Sequence, residues 1–164
     1  MAATPIAIAS VIVSEAIWRA VRAVVDPELG GVTIGDLGLV HDARATEDGA
    51  VVVELLPTFL GCPALSLMAK DVVRAVLEHG ATSCSVEWRA QPAWDSSRIT
   101  QRGVKQLAAI GIAVATAQTA EPDCPFCGRK MLRQINPVGA TACRAVAWCG
   151  GCRSAIDVIG SARG

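Results

Sequence analysis

The stretch VVVELLPTFLGCPALSLMAKDVVRAVL, residues 51–77, joins a buried strand to an amphipathic helix. Its first six residues are apolar apart from one glutamate, which is typical of a strand covered on most of both faces. From Leu65 onward, apolar residues recur with the period of a helix that has one buried face. Pro63 suits the first helical position and Gly80 the position just past the end. We therefore predict a strand–helix unit at the centre of the fold.

Patterns on either side of this unit predict an α/β (α+β) domain at residues 14–112, with a small mixed sheet and packed helices. Ser14 is expected to cap a first helix, which Asp26-Pro27 ends because a residue before proline disfavours helical backbone. The other predicted elements are strands at 39–45, 50–56 and 83–88 and a helix at 100–110. Residues 113–123 are small, end in Glu-Pro-Asp and are predicted to form a linker.

The composition excludes several classes of protein. No run of about 20 uncharged apolar residues occurs, so no membrane span is predicted. Residues 1–13 are apolar without a preceding lysine or arginine, so we expect a loose N-terminal arm rather than a secretory signal. Seven cysteines are present and the formal net charge is zero. These features predict a cytoplasmic protein whose clustered cysteines bind metal rather than form disulfides.

Two C-x-x-C pairs, Cys124-Pro-Phe-Cys127 and Cys149-Gly-Gly-Cys152, lie near the end of the chain. Each pair presents two thiolates from one tight turn, and two such turns predict a tetrahedral four-cysteine zinc site. About forty residues bury too little surface to fold alone, so zinc is expected to stabilise a ribbon at 124–160. The rival interpretation, a redox C-x-x-C, would need a βαβ context that is absent here.

Two cysteines outside the pairs lie in the second half of the chain. If Cys143 shared one extended strand with Cys149, the two would lie about 20 Å apart, too far for one zinc ion. Cys143 is therefore either a buried strand cysteine or an extra ligand for a second metal or cluster, and both interpretations stay open. Cys84, beside a strand, is expected to be a core residue.

Cys62 is expected at the N-cap of the central helix, where amides and the helix dipole lower the pKa of a thiol. Asp26 and Glu28 flank Pro27 at a helix end, where the core does not need carboxylates. One thiolate with these carboxylates could hold iron transiently, but Fe–S clusters normally take four cysteines. A buried cysteine and a simple capping turn are the plainer alternatives. No histidine is placed as the base of a cysteine hydrolase, so no enzymatic activity is predicted.

Ordered motifs extend these inferences through a resemblance. Asp26-Pro27-Glu28, Ile34 to Val40 and Pro57 to Pro63 resemble the SufT-like domain of iron–sulfur assembly factors. With Pro92-Ala93-Trp94 and Thr141-Ala142-Cys143-Arg144 before the second cysteine pair, the whole resembles the PaaD family. The resemblance implies an accessory, maturation-type subunit of the phenylacetyl-CoA ring epoxidase, serving its oxygenase and reductase subunits. It also implies a reactive Cys62, structural zinc, and a transient iron or Fe–S cluster.

The chain departs from the family pattern at Leu29-Gly30, where an apolar residue and proline are common, and at Arg144, which replaces a usual lysine. These departures leave the client less defined than the domains. A structural adaptor that docks oxygenase subunits is one alternative function. A nucleic-acid-binding ribbon is another, disfavoured by the neutral total charge and the scarcity of aromatic residues. Whether two chains pair as a homodimer around Cys62 is left open.

Overall fold

The computed structural model describes residues 11–117, 119 and 121–160. Most of the predicted arm at 1–13 lies outside these residues, but its end forms a short strand. In chain order the elements are β1 (Val11–Ile12), α1 (Glu15–Ala23), β2 (Val40–Ala45), β3 (Ala50–Leu55), α2 (Leu65–Glu78), β4 (Ser83–Trp88), α3 (Gln101–Ala109), β5 (Ile112–Val114), β6 (Leu132–Asn136), β7 (Arg144–Cys149) and β8 (Ser154–Ile159). None of the helices in the described part of the chain has the length and apolarity needed to cross a membrane.

The first sheet has the strand order β1-β2-β3-β4 and contains the predicted strand–helix unit. Strands β1, β2 and β3 are antiparallel neighbours, whereas β3 and β4 are parallel because α2 connects them. Helix α1 begins after Ser14, whose hydroxyl accepts from the Ile17 amide, and its buried residues Ile17 and Val21 face the core. Helix α1 packs on α2, which buries Met68 and Val72. The mixed α/β fold class is confirmed.

The second sheet has the order β5-β8-β7-β6, in which β6, β7 and β8 form the antiparallel ribbon. Strand β5 adds to it in parallel with β8, so the segment predicted as a linker begins inside the ribbon sheet. Ala113 and Ala115 are buried there against the ribbon core. A three-residue strand carries too little pattern to be distinguished from a loop. The division of the chain at residues 112 and 124 stays a prediction.

The turn at residues 34–40 forms a packing surface for residues 92–98, because its backbone carbonyls accept side-chain donors. Trp94 Nε1 donates to the carbonyl of Leu37 at 2.9 Å, and Arg98 Nε donates to that of Gly38 at 2.8 Å. Gly38 has φ +69°, and a Cβ there would lie 2.4 Å from the Arg98 carbonyl oxygen. Only glycine fits this approach. The contact holds the start of α3 against the first sheet.

The Asp36 side chain also holds the start of α3. Its buried carboxylate accepts from Thr100 Oγ1 at 2.7 Å, from Arg102 Nε at 2.9 Å and from Thr33 Oγ1 at 3.1 Å. Burial by itself would raise the pKa of Asp36, but the hydrogen bonds from Arg102, Thr100 and Thr33 outweigh it and hold the pKa below its usual value. Because α3 leads directly into β5, this carboxylate positions the ribbon relative to the first sheet.

Candidate functional site

Four cysteine sulfurs of the ribbon converge in one cluster. The Sγ atoms of Cys124, Cys127, Cys149 and Cys152 all lie within 4.8 Å of one another. The Cys124–Cys152 and Cys127–Cys149 sulfur distances are 3.7 and 3.6 Å. Two sulfurs bound to one zinc at about 2.3 Å with tetrahedral geometry would lie about 3.8 Å apart. The donor set and its spacing therefore fit tetrahedral zinc, with all four predicted ligands brought together.

The backbone around the cluster accommodates the thiolates. A Cβ on Gly151 would lie 3.3 Å from Cys127 Sγ and 3.6 Å from Cys149 Sγ, so glycine lets the turn pass close to the sulfurs. Amides of Cys152 and Gly151 lower the pKa of Cys149 to about 6, whereas burial raises the pKa of Cys124 to about 11. A bound cation favours the thiolate in each case. None of the seven cysteines, all of which are described, forms a disulfide.

A second candidate site is a small cavity between the ribbon and the turns and α2 helix of the first domain, called here the junction cavity. Its volume is about 20 Å³, enough for one water molecule or one metal ion. Five of its lining residues carry polar or ionisable groups and the others are apolar. They are Asp26, Glu28, Thr58, Cys62 and Cys143, together with Leu29, Leu37, Leu39, Leu65, Met68 and Ile159.

Asp26 and Glu28 enter this cavity from the turn after α1. Asp26 is buried, and its Oδ1 accepts from the Glu28 amide at 2.8 Å, while Glu28 itself is exposed. Burial raises the pKa of Asp26, although the Glu28 amide opposes the shift. A backbone hydrogen bond, which the Asp26 amide donates to the Val32 carbonyl at 2.9 Å, also fixes the turn. The turn therefore holds both carboxylates at the junction cavity, which Cys62 also lines.

Cys62 lies in the cavity wall, but its predicted N-cap position is wrong. Helix α2 begins at Leu65 with Ala64 as its N-cap residue, so Cys62 lies two residues before the N-cap, with Pro63 between them. The predicted fall in the pKa of Cys62 is also wrong. Burial raises this pKa, the charges of Glu28, Cys143 and Asp26 add to the rise, and the Ala64 amide opposes it only in part. A raised pKa favours the protonated thiol at neutral pH.

Cys143 lies in the turn before β7, half-buried, rather than within a strand as one interpretation held. It lines the same cavity as Cys62, although it belongs to the ribbon. Its Sγ lies 3.1 Å from Thr141 Oγ1. The sequence pattern left Cys143 as an unpaired cysteine and assigned no role to Thr58 or Thr141. The sequence signal for this site was that Cys143 belongs to neither C-x-x-C pair. Its place beside the cavity that Cys62 lines depends on how the ribbon packs on the first domain.

Cys84 lies half-buried in β4 against the main core, as expected. Burial raises the pKa of its thiol. It lines neither the ribbon cluster nor the junction cavity. It is therefore a suitable control cysteine for experiments on both sites.

Comparison with known proteins follows the same two-part organisation. Residues 14–88 match the family described as iron–sulfur cluster assembly proteins, and residues 111–160 match the PaaD zinc beta ribbon domain. A protein of Escherichia coli, provisionally named as one of the subunits of 1,2-phenylacetyl-CoA epoxidase, is 30% identical over 147 residues. The alignment covers 86% of this chain and 88% of that protein. The chain belongs to the PaaD-type family.

Two further relatives each match about half of the chain. A Bacillus subtilis protein named as an Fe-S protein maturation auxiliary factor is 34% identical over 90 residues, covering 53% of this chain and 85% of that protein. A crystal structure of a domain of unknown function from Bacillus anthracis is 30% identical. It superposes with a TM-score of 0.50 and covers 53% of this chain and 83% of that chain. Relatives of this PaaD-type protein thus include some whose match covers only about half of the chain.

Proposed function

We propose that this PaaD-type protein is an accessory factor for the assembly of iron–sulfur or iron centres in a multi-subunit phenylacetyl-CoA ring epoxidase. The observation that carries the proposal is the meeting of Cys62, Asp26 and Glu28 at one cavity. The names of its relatives support the same role, since one is an Fe-S protein maturation auxiliary factor and another is an epoxidase subunit. The protein then performs no catalysis of its own.

The chemistry of the cavity suits temporary rather than permanent binding. Thiolate and carboxylate ligands together suit iron, which takes both soft and hard donors. Because the pKa of Cys62 is raised, binding of a cation must release its proton, so the proton competes with the metal. Iron or a cluster is in this view the cargo. The ribbon cysteines would hold a resident zinc ion, which supplies folding energy to the ribbon.

The proposed clients are the oxygenase and reductase subunits of the epoxidase. The E. coli relative is named as a subunit of that complex, and this supports a multi-subunit setting. The cytoplasm is the proposed compartment because it keeps the unpaired thiols reduced.

One observation favours a second function, an adaptor that docks epoxidase subunits. The ribbon exposes five large apolar side chains, on strands β6 and β7 and in the segments before and after β6, which is more than scattered surface residues require. They are Phe126, Met131, Ile135, Val138 and Trp148. Under this alternative, Cys62 has no part in the function.

Co-expression of the oxygenase and reductase with wild-type or variant protein tests the proposal. Cys62→Ser should fold and retain its ribbon metal, yet the iron and acid-labile sulfide of the purified clients and their epoxidising activity should fall strongly. Cys84→Ser is the matched control, since Cys84 is also a half-buried thiol with a raised pKa but lies elsewhere. Full client metal and activity with Cys62→Ser would refute the assembly role and favour the adaptor.

A further inference from the structure

Two thiols from opposite parts of the chain line the junction cavity. Cys62 comes from the loop before α2, and Cys143 comes from the turn before β7 of the ribbon. We propose that Cys62, Cys143 and Asp26 bind one divalent transition-metal ion of borderline softness, such as Fe(II), between the assembly-type domain and the ribbon. Glu28 is the ligand at the exposed rim. The inference rests on the proposed function and specifies the cargo and the ligands of that site.

The size of the cavity and the donor set select a single ion over a cluster. A volume of about 20 Å³ holds one water-sized species, and an iron–sulfur cluster normally needs four cysteine ligands. Two thiolates with one or two carboxylates instead match the mixed preference of a borderline cation. The buried position of Asp26 and the half-buried position of both thiols shield this ion from most of the solvent.

The charge around the cavity also calls for a cation. All four candidate ligands are acids, and beyond the effect of burial the charge of Glu28 raises the pKa of both Asp26 and Cys62. The positive charge of Arg144 acts against the rise in the pKa of Asp26. Its Nη1, however, donates to Asp157 at 3.0 Å and its Nε donates to Thr141 Oγ1 at 2.9 Å. Its guanidinium is therefore already engaged by the ribbon. A divalent ion would neutralise the cavity, and the protons of the thiols would leave to solvent as it binds.

The ribbon orients Cys143 through this arginine. Thr141 Oγ1 accepts from Arg144 Nε, so the threonine hydrogen is available to Cys143 Sγ, 3.1 Å away. Asp157 of β8 holds Arg144 in turn. Through these contacts the ribbon holds the Cys143 thiol in place at the junction cavity.

The junction ligands are less closely gathered than the ribbon ligands. Among the described residues, only the four ribbon cysteines have three or more ligand atoms all within 4.8 Å of one another. Metal–ligand bonds of about 2.0–2.3 Å would therefore pull the loop of Cys62 toward the turn of Cys143. Binding should tighten the contact between the assembly-type domain and the ribbon.

A titration of the zinc-loaded full-length protein with Co(II), without oxygen, tests the proposal because thiolate-to-cobalt charge-transfer absorption reports bound sulfur. Wild type and Cys84→Ser should bind about one Co(II) per chain beyond the retained zinc, with the absorption of two thiolates. Cys62→Ser and Cys143→Ser should each lose about half of that absorption and bind at least about tenfold more weakly. Thr141→Val should keep both thiolate bands and bind more weakly. Zinc analysis of each sample confirms that cobalt has not replaced the ribbon metal.

Alkylation of the wild-type protein provides a second readout that needs no variant. Added Co(II) should protect Cys62 and Cys143 together, at the same metal concentration, and leave Cys84 unprotected. Protection of Cys62 without Cys143 would overturn the shared site. Equal cobalt affinity and equal absorption in Cys143→Ser and Cys84→Ser would overturn it as well.

Co-expression with the epoxidase subunits separates this inference from the proposed function. If Cys62→Ser lowers client iron and Cys143→Ser does not, the assembly role stands and the shared site fails. If both thiols are needed for cobalt binding but neither variant affects client iron, the site stands and the assembly role fails. Loss of client iron in both variants supports both.

Discussion

The ribbon cluster and the junction cavity both gather cysteines from separate turns, yet they differ in the types of ligand group and in how closely those groups are placed. The ribbon brings four thiols within 4.8 Å of one another, and two of them, Cys124 and Cys149, are almost fully buried. The junction cavity brings two half-buried thiols near two carboxylates without that closeness. Uniform, preformed thiolates suit a structural metal ion. In our proposal the mixed junction ligands instead hold a metal that exchanges.

The two regions also differ in what else holds them together. The core of the ribbon consists largely of small residues, and its own cysteines are members of that core. The first domain has a larger apolar core, in which Val21, Val53 and Leu55 are fully buried and the four ribbon cysteines take no part. Metal loss should therefore unfold the ribbon and leave the first domain folded.

The largest effect is expected from Cys149→Ser. The substitution removes one of four ligands at a fully buried position, and structural zinc contributes about 10–16 kcal/mol in small zinc-binding peptides. The purified variant should lack zinc and have a protease-sensitive ribbon, while residues of the first sheet keep their protection. Elemental analysis and limited proteolysis with mass spectrometry measure this.

Cys143→Ser is the control for that experiment, because its sulfur lies outside the ribbon cluster. It should retain about one zinc per chain and an intact ribbon. Equal zinc loss in Cys143→Ser and Cys149→Ser would show that the ribbon ligands are wrongly assigned, and the contrast between the two regions would then fail.

A smaller effect is expected from Asp36→Asn, which loosens the anchor between α3 and the first sheet. Loss of hydrogen bonds to a buried charge should lower the free energy of unfolding by about 2 kcal/mol at neutral pH. Because the folded pKa of Asp36 is lowered, its contribution is complete above the unfolded pKa and is lost as pH falls through the folded value. The difference between the two proteins should therefore be constant near neutral pH and shrink below about pH 4.

Urea unfolding at a series of pH values measures this difference. Tryptophan fluorescence follows the unfolding, and Trp94, which donates to the Leu37 carbonyl, contributes to it. Acid effects common to both proteins, including loss of the ribbon metal, cancel in the comparison. Asp71→Asn is the control, since its ion pair with Arg74 is at the surface and contributes about 0–1 kcal/mol. A difference that grows in acid would contradict the lowered pKa.

The repeating patterns of the sequence were enough to predict the regular parts of this fold. Strand β4 has the predicted bounds, and the two cysteine pairs meet as their spacing indicates. Strand β5 was missed because three residues cannot establish a pattern. The junction cavity could not be derived from local patterns, because Cys62 and Cys143 are far apart in sequence and line it together only through tertiary packing. The error in the pKa of Cys62 has the same origin, since burial and distant acids decide it.

A still smaller effect on stability is expected from Cys62→Ser. The residue is half-buried and outside a helix, and serine nearly preserves its volume, so the free energy of unfolding should change by about 1 kcal/mol or less. Thermal unfolding and zinc analysis should both resemble those of Cys84→Ser. A large loss of stability would mean that Cys62 is a packing residue and would weaken its assignment as a metal ligand.

The smallest effect concerns only the reactivity of Cys62. Burial raises the pKa of this thiol first, and the charge of Glu28 is the next largest cause of the rise. Glu28→Gln removes that charge at an exposed position, so the pKa should fall toward its usual value and alkylation by iodoacetamide at neutral pH should become several-fold faster. The gap should close as pH rises, because both proteins then become fully thiolate. Glu47→Gln, an equally exposed change in the β2–β3 turn, should leave the rate unchanged. If Glu28→Gln leaves the rate of Cys62 alkylation unchanged as well, the carboxylate lies too far from the thiol to share a metal ion with it, and the junction cavity would hold its cation through Cys62, Cys143 and Asp26 alone.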